Sequence, residues 1–222
     1  MFALEREMII NDDLGALTQI PKEIGMGAAE AINDACWNLF LNPGKVVDGE
    51  TLSDFYSVKH KNLLTGATSA LTLDALTKAD AHFAKQEKAK GKPLGLRPSI
   101  LLVPPELESQ ALMLTKATQF NGGADGTLTP SNYNPCVGRY KVVVSSYLSS
   151  PNLSGSSELA WYLLVDPNRL AAFEASFLNG KDKPTVERAD ADFNTLGIQF
   201  RGYIDFGVSA QEYRAILKNT GA

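Results

Sequence analysis

Two cysteines, Cys36 and Cys136, and two histidines, His60 and His82, are the side chains here suited to nucleophilic chemistry. A thiol hydrolase or acyltransferase needs a cysteine whose thiolate is stabilised by a nearby imidazole. Neither cysteine sits in a stretch with the local signature of such a nucleophile. Cys36 falls beside an apolar helical stripe, where a thiol is an inert small hydrophobe, and Cys136 follows Asn-Pro in a turn-like stretch. His60, flanked by Lys59 and Lys61, reads as a solvated loop residue, and His82, among Asp80, Phe83 and Lys85, as a partly exposed helix residue. A cytosolic Cys/His hydrolase is therefore the one enzymatic reading on offer, and the chain is expected to have no catalytic residue.

Metal chemistry finds no frame either. C-x-x-C, H-E-x-x-H and the oxygen ladder of an EF-hand are all missing from the sequence. Asp190 and Asp192 would share one side of an extended segment, but a solvated turn is the better account of them. The run Asn121-Gly122-Gly123-Ala124-Asp125-Gly126-Thr127 looks superficially like a phosphate cradle. It lacks the Lys-Ser/Thr pair of a P-loop, and no buried strand leads into it, so a surface loop is expected. No metal site and no cofactor are expected.

The composition, with 44% hydrophobic and 21% charged residues among 222, is that of a globular chain able to form a sizeable core. A net charge of -4 argues against specific nucleic-acid binding, because phosphate neutralisation needs an excess of Lys and Arg. Two distant thiols cannot staple a chain of this size and suit a reducing cytoplasm. No basic-then-apolar leader opens the sequence, and no run approaches the ~20 apolar residues of a membrane span, so a soluble cytoplasmic protein is expected.

Several elements can be read from the pattern. Phe2 to Ile10 fits a short strand or a helical turn equally well. Ile20, Ile24, Ala28, Ala31, Ala35 and Leu39 fall at helical steps, predicting a helix from an N-cap at Thr18, with Pro21 in its first turn, to a stop before Pro43-Gly44. Gly25, Gly27, Ala28 and Ala29 make its first half thin. Lys45 to Ala70 reads as a long connection with at most one short element. Thr72 is expected to cap a second helix carrying Leu73, Leu76, Ala79 and Phe83 on one face, with Lys85, Lys88 and Lys90 near its end and a stop at Gly91. Ser99 to Val103 suits a strand buried on both faces, and Pro104-Pro105-Glu106 starts a third helix with Leu107, Ala111 and Leu114 inward.

Beyond the Gly-rich loop of residues 121–134, strands are expected at Tyr140–Tyr147 and Trp161–Val165, joined by a flexible connection at Ser149–Ser157. Another is expected around Phe173, Ala175 and Phe177. Leu196, Ile198, Phe200, Gly202, Ile204, Phe206 and Val208 alternate with polar residues, predicting one strand about twice the usual length. No internal repeat is evident.

Four stretches carry a family resemblance: Ile9-Ile10-Asn11-Asp12-Asp13-Leu14-Gly15-Ala16 with Ile20-Pro21; Leu94 to Pro98 through Leu101-Leu102-Val103-Pro104-Pro105-Glu106-Leu107-Glu108; Trp161-Tyr162-Leu163 with Asp166-Pro167; and Gly197-Ile198-Gln199-Phe200 through Asp205-Phe206-Gly207-Val208. In that order the chain resembles the major capsid proteins of tailed phages with the Hong Kong 97-type fold. More closely, it resembles the Mu-like prophage major head subunits, including the capsid half of prohead protease–capsid fusions.

The resemblance implies an α+β chain. Residues 13–65 and 169–208 would form a peripheral (P) domain of long spine helix and long antiparallel strands. Residues 66–168 and 209–222 would form an axial (A) domain with a central sheet flanked by helices. Residues 1–12 would be the remnant of the extended loop (E-loop); family members usually carry an N-terminal arm and an outgoing loop strand before this point. The implied function is that of a structural head subunit, assembling with copies of itself into hexamers and pentamers of a DNA-filled icosahedral shell. Scaffold, prohead protease and portal are the further partners implied, and the virion, assembled in the bacterial cytoplasm, the location. An encapsulin-like shell protein of the same fold is the alternative. Glu5, Arg6 and Glu7, with Lys22 and Glu23 on the spine helix, are the expected charge partners between subunits.

Overall fold

The computed structural model of the protein describes residues 2–4, 15–48, 51–88, 91–118, 134–189 and 198–221. In chain order its first elements are β1 (Phe2–Leu4), α1 (Ala16–Leu41), β2 (Lys45–Asp48), β3 (Thr51–Asp54), β4 (Leu63–Leu64), α2 (Leu73–Ala84) and β5 (Ile100–Val103). Then come α3 (Glu108–Lys116), β6 (Lys141–Val144), β7 (Trp161–Leu164), β8 (Phe173–Phe177), β9 (Thr185–Ala189), β10 (Ile198–Tyr203), β11 (Phe206–Ala210) and β12 (Ile216–Asn219). Helix and sheet are both present, so the chain is α+β. It divides into two compact units: unit 1 is Met1–Trp37 with Ala175–Val208, and unit 2 is Asn38–Glu174 with Ser209–Ala222.

In unit 1, β1, β10 and β9 form an antiparallel sheet in that order. Residues 2–4 thus settle as strand, while residues 5–14 lie outside the described residues. Helix α1 starts earlier than expected. The Gln19 amide already donates to the Gly15 carbonyl at 3.1 Å, so Thr18 lies inside the helix rather than capping it. Pro21 therefore falls past the first turn, where its missing N–H removes one ladder bond. The inward face is also turned slightly: Ile20, Ile24, Ala28, Ile32 and Ala35 are half-buried, whereas Ala31 is exposed. Gly202 sets the contact between β10 and α1. A Cβ there would come within 2.2 Å of Ile24 Cγ2, so only a residue without a side chain lets strand and helix touch at this point.

The single long C-terminal strand is not observed. The alternating run breaks after Tyr203 into β10, which pairs with β1 and β9, and β11, which pairs with β8. At the break the Asp205 carbonyl accepts from the Leu178 amide at 3.1 Å, and the chain changes partner there. Alternation of side chains survives such a change of sheet, and so could not reveal it.

Unit 2 is built on a mixed five-stranded sheet, β4-β12-β7-β5-β6. On one face Leu101, Val103, Trp161, Leu163 and Leu217 pack with Leu76, Ala79 and Phe83 of α2 and Ala111 and Leu114 of α3. Leu102, Tyr162 and Ile216 on the other face are buried too. Above Tyr162 lies an aromatic cluster: Phe40 at 4.9 Å, Tyr56 at 6.1 Å, and Phe173 at 5.4 Å from Phe40. The central strands are therefore sealed on both faces, as the continuous apolar run of Ser99–Val103 predicted.

Corrections in unit 2 fall mostly on connections. Lys45–Ala70 holds a hairpin, β2–β3, and the strand β4, rather than one short element at most. Thr72 does cap α2, its hydroxyl accepting from the Ala75 amide at 3.1 Å. The helix ends at Ala84, before the lysine run, and beyond it the Lys88 amide donates to the Lys92 carbonyl at 2.7 Å. The strand expected over Tyr140–Tyr147 shortens to β6 and passes into a 3-10 turn, Ser146–Leu148. Ser149–Ser157 is tied down by its own backbone, with Ser157 N–H to Leu148 C=O at 2.7 Å.

Candidate assembly surfaces

The chemistry-bearing side chains are placed first by burial. Cys136 is 1% exposed, and burial pushes its thiol up despite the opposing pull of Arg139. Cys36 is half-buried on α1, and burial raises its thiol too. Both therefore favour the unreactive thiol form.

His60 overturns its sequence reading. It is 3% exposed, with Nε2 2.7 Å from Ser53 Oγ, Nδ1 3.1 Å from the Phe55 carbonyl, and its ring stacked on Tyr213 at 4.1 Å. Its ring bonds tie the end of β3 together, and its stacking reaches the turn before β12, which explains a histidine buried between two lysines. His82, half-buried, meets the Lys61 carbonyl through Nε2 at 3.1 Å. Asp190, Asp192 and the loop Asn121–Thr127 lie outside the described residues. Among the described residues no group of three His, Cys, Asp or Glu is placed to hold a metal ion, and no helix is long and apolar enough to cross a membrane.

Buried polar groups in unit 2 are structural ties. Asp80 Oδ2 accepts from Arg97 at 3.0 Å and from Arg139 at 2.7 Å, joining α2 to the segments that enter β5 and β6. Asn134, fully buried at the end of the Gly-rich run, donates to the Leu114 and Ala117 carbonyls at 2.7 Å each and so closes α3. Asn62 spans Phe55 and Tyr213 through their carbonyls at 2.8 and 3.2 Å.

Assembly surfaces are where side chains stay uncovered. Of the expected interface charges, Lys22 and Glu23 are exposed on α1, while Glu5, Arg6 and Glu7 lie outside the described residues. Unit 1 also exposes Met26 at 52%, Leu178 at 60% and Tyr203 at 48%. The sheet face carrying Arg201, Tyr203 and Glu187 is polar, with Arg201 Nε donating to Glu187 at 2.6 Å and Tyr203 Oη at 3.2 Å. The Arg201 hydrogen bond holds the Glu187 carboxyl below its usual range. Unit 2 carries a groove of about 450 Å³ lined by Lys88, Leu94, Leu96, Arg169, Leu170, Glu212 and Arg214. These cations come from three distant segments, so no local spacing could have announced them.

The chain thus has two compact units, one with a long helix against an antiparallel sheet, and both carry exposed charged side chains. The sequence matches the family model described as phage capsid protein over residues 1–219, and the chain belongs to that family. Among solved structures, the capsid of Ralstonia phage GP4 aligns at 10% identity and a TM-score of 0.47, covering 85% of this chain and 63% of that one. Gordonia phage Cozz aligns at 10% identity and 0.46, covering 98% and 67%. The holo-SrpI encapsulin complex from Synechococcus elongatus PCC 7942 aligns at 11% identity and 0.37, covering 71% and 51%. The chain thus spans 63% and 51% of the length of the Ralstonia phage and encapsulin chains. No curated protein matches the sequence.

Proposed function

We propose that this chain is a structural head subunit of a tailed phage or prophage, and that it works by packing against copies of itself in an icosahedral shell of the Hong Kong 97 type. The observation that carries the reading is the family match from residue 1 to 219. Unit 1 adds physical support. Among its residues whose side chains are described, Phe200 is the one buried hydrophobic side chain, and the α1 stripe is only half-covered. A unit with so little core of its own gains stability by being covered, and obligate assemblies bury more than about 2,000 Å² per interface.

In this reading the peripheral domain takes in residues 13–65 and 169–208, the axial domain residues 66–168 and 209–222, and residues 1–12 the end of the extended loop. The compact units have different limits: residues 38–65 belong with unit 2. Glu5, Arg6, Glu7, Lys22 and Glu23 are proposed as charges between subunits, each exposed pair adding only about 0–1 kcal/mol. Hexamers and pentamers, the scaffold, protease and portal partners, and assembly in the bacterial cytoplasm before release as virions are part of the same proposal. No catalytic step is assigned to the chain.

Size-exclusion chromatography with electron microscopy tests it. Rings or shells are the expected result, whereas a monomer at every concentration would overturn the proposal. Shells that enclose an enzyme cargo in place of DNA would favour the encapsulin-like alternative.

A further inference from the structure

We propose that the groove over Leu94, Leu96 and Leu170 on unit 2 receives the acidic face of α1 from a second copy of the chain. The inference rests on the shell-subunit reading and names the two surfaces that meet. The groove has an apolar floor: Leu96 is 5% exposed, and Leu94 and Leu170 are half-buried beside it. Around that floor stand Lys88, Arg169 and Arg214. Arg214 is held in place by its Nε bond to the Glu87 carbonyl at 2.9 Å, its pair with Glu212 at 3.0 Å, and the Tyr213 ring 4.3 Å beneath it. Arg169 donates to the Gly95 carbonyl at 3.2 Å. Two of these contacts are to neutral carbonyls, and among the described residues lining the groove Glu212 is the one acid against three cations. Positive charge fixed in advance around apolar surface suits an anionic segment with an apolar centre.

Helix α1 presents that complement. Glu23, Glu30 and Asp34 are exposed and lie seven and four residues apart, within about 40° of one another around the helix and over about 16 Å of its length. Met26, 52% exposed, falls on the same face, and the exposed Gly27 beside it leaves the backbone open to close approach. One surface is leucine rimmed by cations, and the other is methionine rimmed by carboxylates.

The wider charge distribution agrees. Unit 1 contains six Lys/Arg and twelve Asp/Glu, and unit 2 fifteen and thirteen, so the chain's net charge of -4 is divided as -6 and +2. Such an interface joins different patches on successive copies, the head-to-tail geometry that closes rings.

Charge reversal tests this on the full chain. Glu23→Lys with Glu30→Lys and Asp34→Lys alters one surface; Lys88→Glu with Arg169→Glu alters the other. Each set alone is expected to raise the concentration for half-assembly, read by sedimentation velocity, about tenfold or more, and the two sets combined to restore most of it. Added salt is expected to weaken wild-type assembly. Met26→Gln, which changes no charge, serves as a second variant should a reversal disturb the circular dichroism, and it too is expected to weaken association.

Assembly indifferent to these changes, or no recovery in the combined variant, overturns the inference and leaves the shell reading standing. A wild-type chain that never associates overturns both. Polyanion binding that the groove reversal abolishes while assembly is unchanged also overturns the inference, assigning the groove to a different ligand.

Discussion

Unit 2 has a sealed core, whereas unit 1, where its side chains are described, is mostly half-covered; both expose some large apolar side chains, Val58 and Met113 in unit 2 among them. Trp161, Leu163, Leu101, Phe83 and Leu217 are essentially sealed in unit 2, within a sheet covered on both faces. Unit 1 pairs a three-stranded sheet with a half-covered helix and exposes Met26, Leu178 and Tyr203. The first is stabilised by its own core, at roughly 1.5–3 kcal/mol for each fully buried large side chain. The second leaves that gain to be made elsewhere, and under the proposed shell role the place to make it is the neighbour. The division of charge runs the same way, with the acidic unit the one short of core.

The strongest way to break this contrast is at the centre of unit 2. Trp161→Ala removes a fully buried ring and the bond from its indole N–H to the Ser69 carbonyl at 2.8 Å. A loss of about 3–5 kcal/mol is expected in denaturant unfolding. A loss below about 1 kcal/mol would show that the sheet is not the core described.

Gly202→Val probes the other side. The added side chain meets Ile24, so a cost of about 1–3 kcal/mol is expected. Hydrogen exchange should speed up in β9 and β10 while β5 and β7 keep their protection. Equal acceleration in both units would mean that they unfold as one.

Alkaline titration sharpens the contrast further. Burial raises Tyr56, Tyr140 and Tyr162, all in unit 2, above the usual phenol value. Once the pH passes about 10, these tyrosines ionise in the unfolded chain but stay protonated when folded. The folded state then binds more protons, so stability falls with rising pH, by about 1.4 kcal/mol per pH unit for each tyrosine. Stability should hold below that point, and Tyr56, Tyr140 and Tyr162 should add no phenolate absorbance to the native protein near pH 10. Full titration without unfolding would contradict the burial.

The smallest effect is kinetic. Iodoacetamide should leave Cys136 untouched in the native chain and modify Cys36 slowly, since burial raises both thiols. A fast-reacting Cys136 would reopen the hydrolase reading.

How much of this was legible in the sequence depended on whether the cause was local. The long helix, the Thr72 cap and the doubly buried strand at Ile100–Val103 could be read because periodicity, a capping hydroxyl and an apolar run act within one segment. Helix α1 begins ahead of the expected Thr18 cap because its first backbone bond, Gln19 to Gly15, is not written in side-chain pattern, which places helix ends only to within a residue or two. His60 was misread because the Tyr213 ring that stacks on it is remote in the chain, and its two lysine neighbours dominate the local pattern. Lys22 and Glu23 were legible as exposed charges, but the groove cations were not.

By itself the sequence determined the family, the α+β class and the main helices, since propensity, patterning and motif strings all lie along the chain. Only the tertiary structure decided that the alternating C-terminal run is two strands in two sheets, that Gly202 lets β10 rest on Ile24, and that Lys88, Arg169 and Arg214 share one groove. Strand partners and charge clusters are relations between segments far apart in the chain, and an amino acid's type carries no record of which distant residue it will meet.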